Sequence, residues 1–371
     1  MQARCGTFFE MIEELSPADL AEEWDNSGLQ AGDPERPVSR VLLALDMDEA
    51  VLAEAQAKGA DLVITHHPLL IKGIKQIRED QPPGRLLARI IRAGITVYAA
   101  HTNLDNAGRG VSAVLAEKLG LAGITVLRPG NERFLKLVVF VPADHADAVR
   151  EALAGAGAGW IGNYSECTFM LGGTGTFRPL EGSSPFIGRQ GELEKVDEVR
   201  LETILPARLA GHVVRAMLSA HPYEEVAYDL YPLENRSANS GSGRMGRLNE
   251  PLPFGEFARQ VKEALQLPAV RRGGPADRKI QKVAVCGGSG TDFWPLALAG
   301  GADVLVTGDI GYHGARDMLA AGMCFIDAGH YGTEKVVLPA LAGYLGERCR
   351  ERGLDVEILV SAVDGDPFTY A

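Results

Sequence analysis

The stretch ITHHPLL sets His66 beside His67 at the end of an apolar run. Imidazole is the commonest metal ligand and the side chain best matched to proton transfer near neutral pH. Successive side chains on a strand point to opposite faces, so adjacent histidines cannot serve one point in space in the same way. Similar strand ends recur along the chain. YAAHTNLD carries His101 and Asp105, TGDIGYH carries Asp309 and His313, and IDAGHYGTE carries Asp327, His330 and Glu334. A lone histidine is ordinarily a surface residue or a satisfied core residue. Histidines that return with carboxylates at four strand ends are not what that reading predicts. Imidazole and carboxylate together suit Zn, Mn, Fe, Co or Ni, and a carboxylate can bridge two ions. The expected metal ligands are His66, His67, Asp105, His330 and Glu334. His330 and Glu334 are four apart, a spacing that fits one helix face. Gly329 and Gly332 argue instead for Thr333 as N-cap, with His330 in the loop and Glu334 in the first turn.

Other polar motifs are weaker. VCGGSG (285–290) follows a strand and can cradle phosphate or simply make a tight turn, since it lacks the lysine of a Walker loop. WDNSGLQ (24–30) offers Asp25, Asn26 and Ser27 as substrate contacts or as a turn after a helix. HPYEEVAYDL (221–230) sets a histidine beside Glu224 and Glu225 with no second ligand cluster nearby, which argues against a metal and leaves an interface or effector role open.

The elements that must position these residues alternate. VLLALD (41–46), DLVITHHP (61–68) and ITVYAAHTNLD (95–105) read as strands separated by helical segments, with a helix at about 110–119. Short apolar strands joined by helices imply parallel β-α-β units. Ligands of such sheets bind beyond the carboxyl ends of the strands, so one sheet edge is expected to collect the cluster. The last third repeats the pattern: GADLVITHHP (59–68) resembles GADVLVTGDI (301–310), and GITVYAAH (94–101) resembles GMCFIDAGH (322–330). Two echoes in the same order suggest related halves. Between them, residues 131–235 read as β-α-β-β-α-β, the split-βαβ order. NRSANSGSGRMGRL (235–248), polar and rich in Gly and Ser, reads as a returning linker. The expected fold is α/β: a parallel-type βαβ domain of two related halves (1–130 plus 236–371) interrupted by a ferredoxin-like α+β insert (131–235).

Composition narrows the function classes. At 371 residues the chain exceeds a single core. Lys+Arg 37 against Asp+Glu 49 leaves a net charge of -12, which disfavours a nucleic-acid coat or an anionic-membrane binder. The five cysteines are scattered without a C-x-x-C pair, so neither a disulfide framework nor a thiolate zinc site is expected. MQARCGTFFEMIEEL carries Glu where a signal peptide needs an apolar core, and a cytoplasmic setting is the expectation.

Taken in order, WDNSGLQ, ITHHPLL, HTNLD, GGSG, TGDIGYH and DAGHYGTE resemble the Nif-three-like dinuclear-metal family, the GTP cyclohydrolase I type 2 family, over essentially the whole chain. The insert with HPYEEVAYDL is similar to that of the longer bacterial branch, which is CutA/PII-like. The resemblance implies two divalent ions per chain held by His66, His67, Asp105, His330 and Glu334, with His101 and His313 as second-layer or proton-transfer residues. It also implies a toroidal homohexamer. The activity expected is metal-dependent hydrolysis of a nucleotide-like or phosphorylated small molecule, such as GTP ring opening by hydroxide attack at C8 of the purine. The alternative is a non-enzymatic metal-binding ring with an effector-sensing insert.

Overall fold

The computed structural model describes residues 3–130, 132–235 and 237–369. The chain divides into two compact units, Met1–Gly130 with Asn239–Ala371, and Asn131–Ala238.

In the first unit, β1 (Gly28–Ala31), β2 (Arg40–Ala44), β3 (Leu62–Thr65), β4 (Thr96–Ala99) and β5 (Ala122–Pro129) come from the first third of the chain. The second unit contains β6 (Phe134–Pro142), β7 (Thr168–Phe177), β8 (Glu194–Pro206) and β9 (Tyr228–Leu233). The chain then returns to the first unit as β10 (Gly241–Pro253), β11 (Arg271–Gly273), β12 (Lys279–Ser289), β13 (Val304–Gly308), β14 (Cys324–Asp327) and β15 (Glu357–Val360).

The first unit holds two sheets, with orders β1-β4-β3-β2-β15 and β11-β14-β13-β12-β10-β5. Each has a parallel triplet at its centre, β2-β3-β4 or β12-β13-β14. An antiparallel strand, β1 or β11, closes the last member of each triplet. The repeated sequence pattern is therefore a repeated structure, and the single sheet edge expected from sequence is two edges. The triplets are covered on both faces, which explains their uninterrupted apolar runs. Along β2, Val41 and Leu43 enter one core with Phe8 and Met11, while Leu42 and Ala44 enter the opposite core with Leu52 and Ile90. Helix Glu49–Lys58 links β2 to β3: Asp48 caps it by accepting from the Val51 amide at 2.7 Å, and Gly59 (φ 62°) ends it in the left-handed conformation. No helix among the described residues is long and apolar enough to cross a membrane.

Three local expectations change. ITVYAAHTNLD is not strand throughout: β4 stops at Ala99, and Asp105 lies on a short helix, Thr102–Asn106. The helix after DAGH starts at His330 rather than after Thr333, so His330 and Glu334 share one helix, His330–Glu334. Thr333 Oγ1 donates back to the Gly329 and His330 carbonyls instead of capping. The supposed linker is largely strand, since β10 pairs antiparallel with both β5 and β12. Its Gly and Ser content reflects crowding rather than flexibility. Arg244 is buried and donates to the carbonyls of Gly241, Gly243 and Ala107, and a Cβ on Gly241 (φ 138°) would lie 2.2 Å from the Arg128 carbonyl oxygen.

The second unit runs β6, helix Ala146–Gly155, β7, β8, helix Ala210–Ala220, β9. Its sheet order is β7-β8-β6-β9, with every neighbour antiparallel. The two helices pack on one face around Leu137, Val139, Leu201 and Leu205.

Candidate metal centre

Four imidazoles converge where the strand ends of the first unit meet. Ring centroids lie 5.0 Å apart for His66 and His67, 5.3 Å for His66 and His101, 5.5 Å for His67 and His101, and 5.4 Å for His67 and His330. In each ring Nδ1 is held from behind. His66 Nδ1 faces the Ala100 carbonyl at 2.8 Å, His67 Nδ1 faces Asp46 at 2.8 Å, His101 Nδ1 faces Asp25 at 2.8 Å and His330 Nδ1 faces Asp309 at 2.7 Å. An acceptor on Nδ1 fixes the ring and leaves Nε2 as the donor to a metal.

Glu334 stands among those Nε2 atoms. Its Oε1 lies 3.1 Å from His330 Nε2 and 3.7 Å from His66 Nε2, and its Oε2 lies 3.0 Å from His67 Nε2. Asp105 Oδ1 is 3.6 Å from His66 Nε2. Three of these atoms, His66 Nε2, Asp105 Oδ1 and Glu334 Oε2, are buried and unsatisfied, apart from the approach of His67 Nε2 to Glu334 Oε2 at 3.0 Å. Buried polar atoms left unsatisfied are costly and rare. Two donors bound tetrahedrally to one ion at about 2.1 Å would themselves be about 3.4 Å apart, so these spacings fit residues that could hold an ion. Two overlapping groups have the proximity to hold an ion, His66 with His67 and His101, and His67 with His330 and Glu334.

The protonation states agree. Burial works against charge on His67, yet Asp46 and Glu334 outweigh it and lift its pKa to about 10. Glu334 raises His330 to about 9 against the effect of its burial, with Asp309 assisting. Burial would raise the Glu334 carboxyl, but His330 and His66 hold it well below the usual carboxylate range. At neutral pH His67 and His330 thus carry protons that face Glu334.

The expected ligands His66, His67, Asp105, His330 and Glu334 all come to this point, and His101 joins them more closely than a purely outer residue would. His313 does not: it is exposed on helix Tyr312–Ala320, its ring edge-on to Tyr312, and belongs to neither imidazole group. Asp25, Asn26 and Ser27 form the support of His101. The Asp25 side chain has 0% exposure and accepts from Ser27 Oγ and from both the amide and hydroxyl of Thr102, besides His101. Those bonds outweigh burial and depress its pKa strongly. Asn26 Nδ2 donates to the Leu70 carbonyl at 2.6 Å, tying this turn to the segment after ITHHPLL. Asp327 is likewise a holder. It accepts from the Ile310 and Gly329 amides and pairs with Arg271, bracing the loops that carry Asp309 and His330.

The glycines of VCGGSG do not cradle phosphate. The amides of Gly287, Gly288 and Gly290 donate to Ser112, Thr333 and Thr307. Gly288 (φ 63°) instead makes room for Glu334, because a Cβ there would sit 2.2 Å from Glu334 Oε1. Asp46 escaped the sequence reading, although it ends VLLALD as the histidines end their strands. The Ala100 carbonyl had no side-chain signal at all. His221 is occupied at both nitrogens, by the Phe140 carbonyl at 3.0 Å and the Tyr223 amide at 3.1 Å, and is not a metal ligand here.

Known proteins are similar over the whole chain. A protein from Halalkalibacterium halodurans named GTP cyclohydrolase 1 type 2 homolog is 47% identical over 365 residues, covering 98% of each chain. A Bacillus subtilis protein of the same name is 45% identical, covering 97% of each. Among solved structures, a Bacillus cereus protein related to NIF3 superposes with TM-score 0.93 at 45% identity over 100% of both chains. A Staphylococcus aureus protein superposes with TM-score 0.80 at 30% identity, covering 100% of this chain and 99% of that one. The family model for Duf34/NIF3 (NGG1p interacting factor 3) matches residues 3–367, and the chain belongs to that family.

Proposed function

We propose that this protein is a dinuclear metal-dependent hydrolase of a nucleotide-like or phosphorylated small molecule, with GTP ring opening as the leading candidate reaction. The observation that carries the proposal is the set of unsatisfied buried atoms on His66, Asp105 and Glu334. His66, His67, Asp105, His330 and Glu334 would hold the ions, with Glu334 shared because its two oxygens face different imidazoles. A pair of divalent ions supplies Lewis-acid activation of the electrophile and of an attacking water. The chain itself supplies the rest. Asp46 and Asp309 hold His67 and His330 in orientation. Asp25 fixes His101 through Nδ1, so its Nε2 is the atom that takes or returns a proton beside the ligand cluster. Trp24, 62% exposed, has its ring centroid 5.8 Å from that of His101 with the planes at 77°, and offers an aromatic surface to an incoming base. The names of the relatives support the GTP reading, and the negative chain gains the positive charge an anionic substrate needs from the ions. We further propose a toroidal homohexamer as the assembly.

The test is a screen of GTP, other nucleotides and phosphoesters with the co-purified metal, run on the native chain and on Glu334→Gln. Metal-dependent turnover that vanishes in the variant is the expected result, and full activity in Glu334→Gln overturns the reading. The second reading, a non-enzymatic metal-binding ring with a sensing insert that is CutA/PII-like, is favoured by the cavity of the second unit (described next). It gains if no substrate turns over while the chain still binds its metal.

A further inference from the structure

The second unit contains a cavity of about 830 Å³ at one end of its sheet, between β6, the end of β7, the connection from β7 to β8, and the turn before β9. That volume is in the range of small-molecule sites. Its walls are aromatic: Phe140, Phe177, Phe186 and Tyr223. Tyr223 is the hub, with ring centroids 5.8 Å from Phe177 and 6.4 Å from Phe186. The polar lining is one-sided. Glu181, Glu198, Glu224 and Glu225 face one cation, Arg178, so four negative charges less one positive leave the lining at three negative.

Two of these carboxylates are built into the wall. Glu198 lies across Gly175, where a Cβ would come within 1.9 Å of its Oε2, and its Oε1 accepts from the Tyr223 hydroxyl at 3.1 Å. Glu224 accepts from the Ser184 amide at 2.8 Å and so fastens the β7–β8 connection over the cavity. Glu181 and Glu225 have no hydrogen-bond or ion-pair partner among the described residues. Aromatic faces attract cations, and carboxylates beside them add charge-assisted hydrogen bonds. Phe140 already shows this affinity, with the Arg200 guanidinium 5.8 Å from its ring centroid. An anion would meet the opposite field.

We propose that this cavity is a binding site for a small organic cation, an ammonium or guanidinium compound, whose charged end reaches Glu198 and Glu225 and whose stem stacks against Tyr223 and Phe186. The site stands whichever reading of the metal centre holds. The probes are N-acetyl-L-arginine amide and spermidine, titrated calorimetrically into the full chain with its metal content intact, with the neutral N-acetyl-L-citrulline amide as control. At least one cationic probe should saturate below about 1 mM while the neutral control does not. Glu225→Gln and Phe186→Ala, both at exposed positions, should each weaken it about tenfold with metal content unchanged. Absence of cation binding up to about 1 mM, equal binding of the neutral N-acetyl-L-citrulline amide, or undiminished binding in the Glu198→Gln/Glu225→Gln double variant overturns the proposal.

Discussion

Each imidazole of the centre has one nitrogen committed behind it and one turned inward, and this division of labour governs what single substitutions do. Replacing Asp46 or Asp309 by Ala removes the acceptor behind His67 or His330 without touching a ligand atom. Such outer partners are worth about 10–100-fold in metal affinity, and competition against a chelator should show a loss of that size. The adjacent histidines separate further: His66 lies with Asp105 and Glu334 Oε1, and His67 with Glu334 Oε2. His67 nevertheless belongs to both groups that have the proximity to hold an ion, so His66→Ala should deplete one ion and His67→Ala both, and equal loss of both ions from His66→Ala counts against two distinct positions. Protonation supplies another check. His67 and His330, lifted to about 10 and about 9, carry protons in the metal-free chain at neutral pH and must lose them to bind an ion. Loading at pH ~7 should release protons, read as a buffer-dependent calorimetric heat, and affinity should fall as pH falls. The sign for the metal-free fold is opposite. The His67 pair stabilises it fully below about 6.5 and loses that contribution as pH rises through about 10. Thermal melts of the stripped chain should weaken over that window.

At the level of elements, glycine controls how closely the two strand-end regions approach. Gly288 on β12 has positive φ and abuts Glu334, so Gly288→Ala should cost about 1–3 kcal/mol and displace the shared carboxylate, lowering both Tm and bound metal. Unchanged metal content in that variant would show that Glu334 tolerates movement. The strands that carry ligands were legible in the sequence because apolar runs of four to six residues ended in His or Asp, and their parallel pairing followed from intervening helices. Asp46 was overlooked because a single carboxylate after VLLALD resembles any strand end. GSGRMGRL reads as a linker, and VCGGSG as either a phosphate cradle or a tight turn, for one reason: glycine reports that space is short, without saying whether a ligand, a side chain or another strand fills it. Only the fold shows that Glu334 fills it in the first case and Arg128, Leu127 and the β5 backbone in the second. The start of helix His330–Glu334 was hidden because Gly329 at φ 76° serves as its entry, a position where a breaker would be read.

For the molecule as a whole, the matched pair of parallel triplets offers two sets of strand ends, and of the buried carboxylates Glu334 stands among imidazoles while Asp327 pairs with Arg271. Native mass spectrometry should give six chains per particle for the proposed ring, and a monomer at micromolar concentration would remove it. The account as a whole depends on the number of ions that the cluster holds. Elemental analysis of the chain purified without chelator measures this directly. Two divalent ions per chain, with at least one lost in Glu334→Gln, is the predicted result. One ion or none per chain, or an unaltered ratio in Glu334→Gln, would contradict a two-ion centre built around that carboxylate.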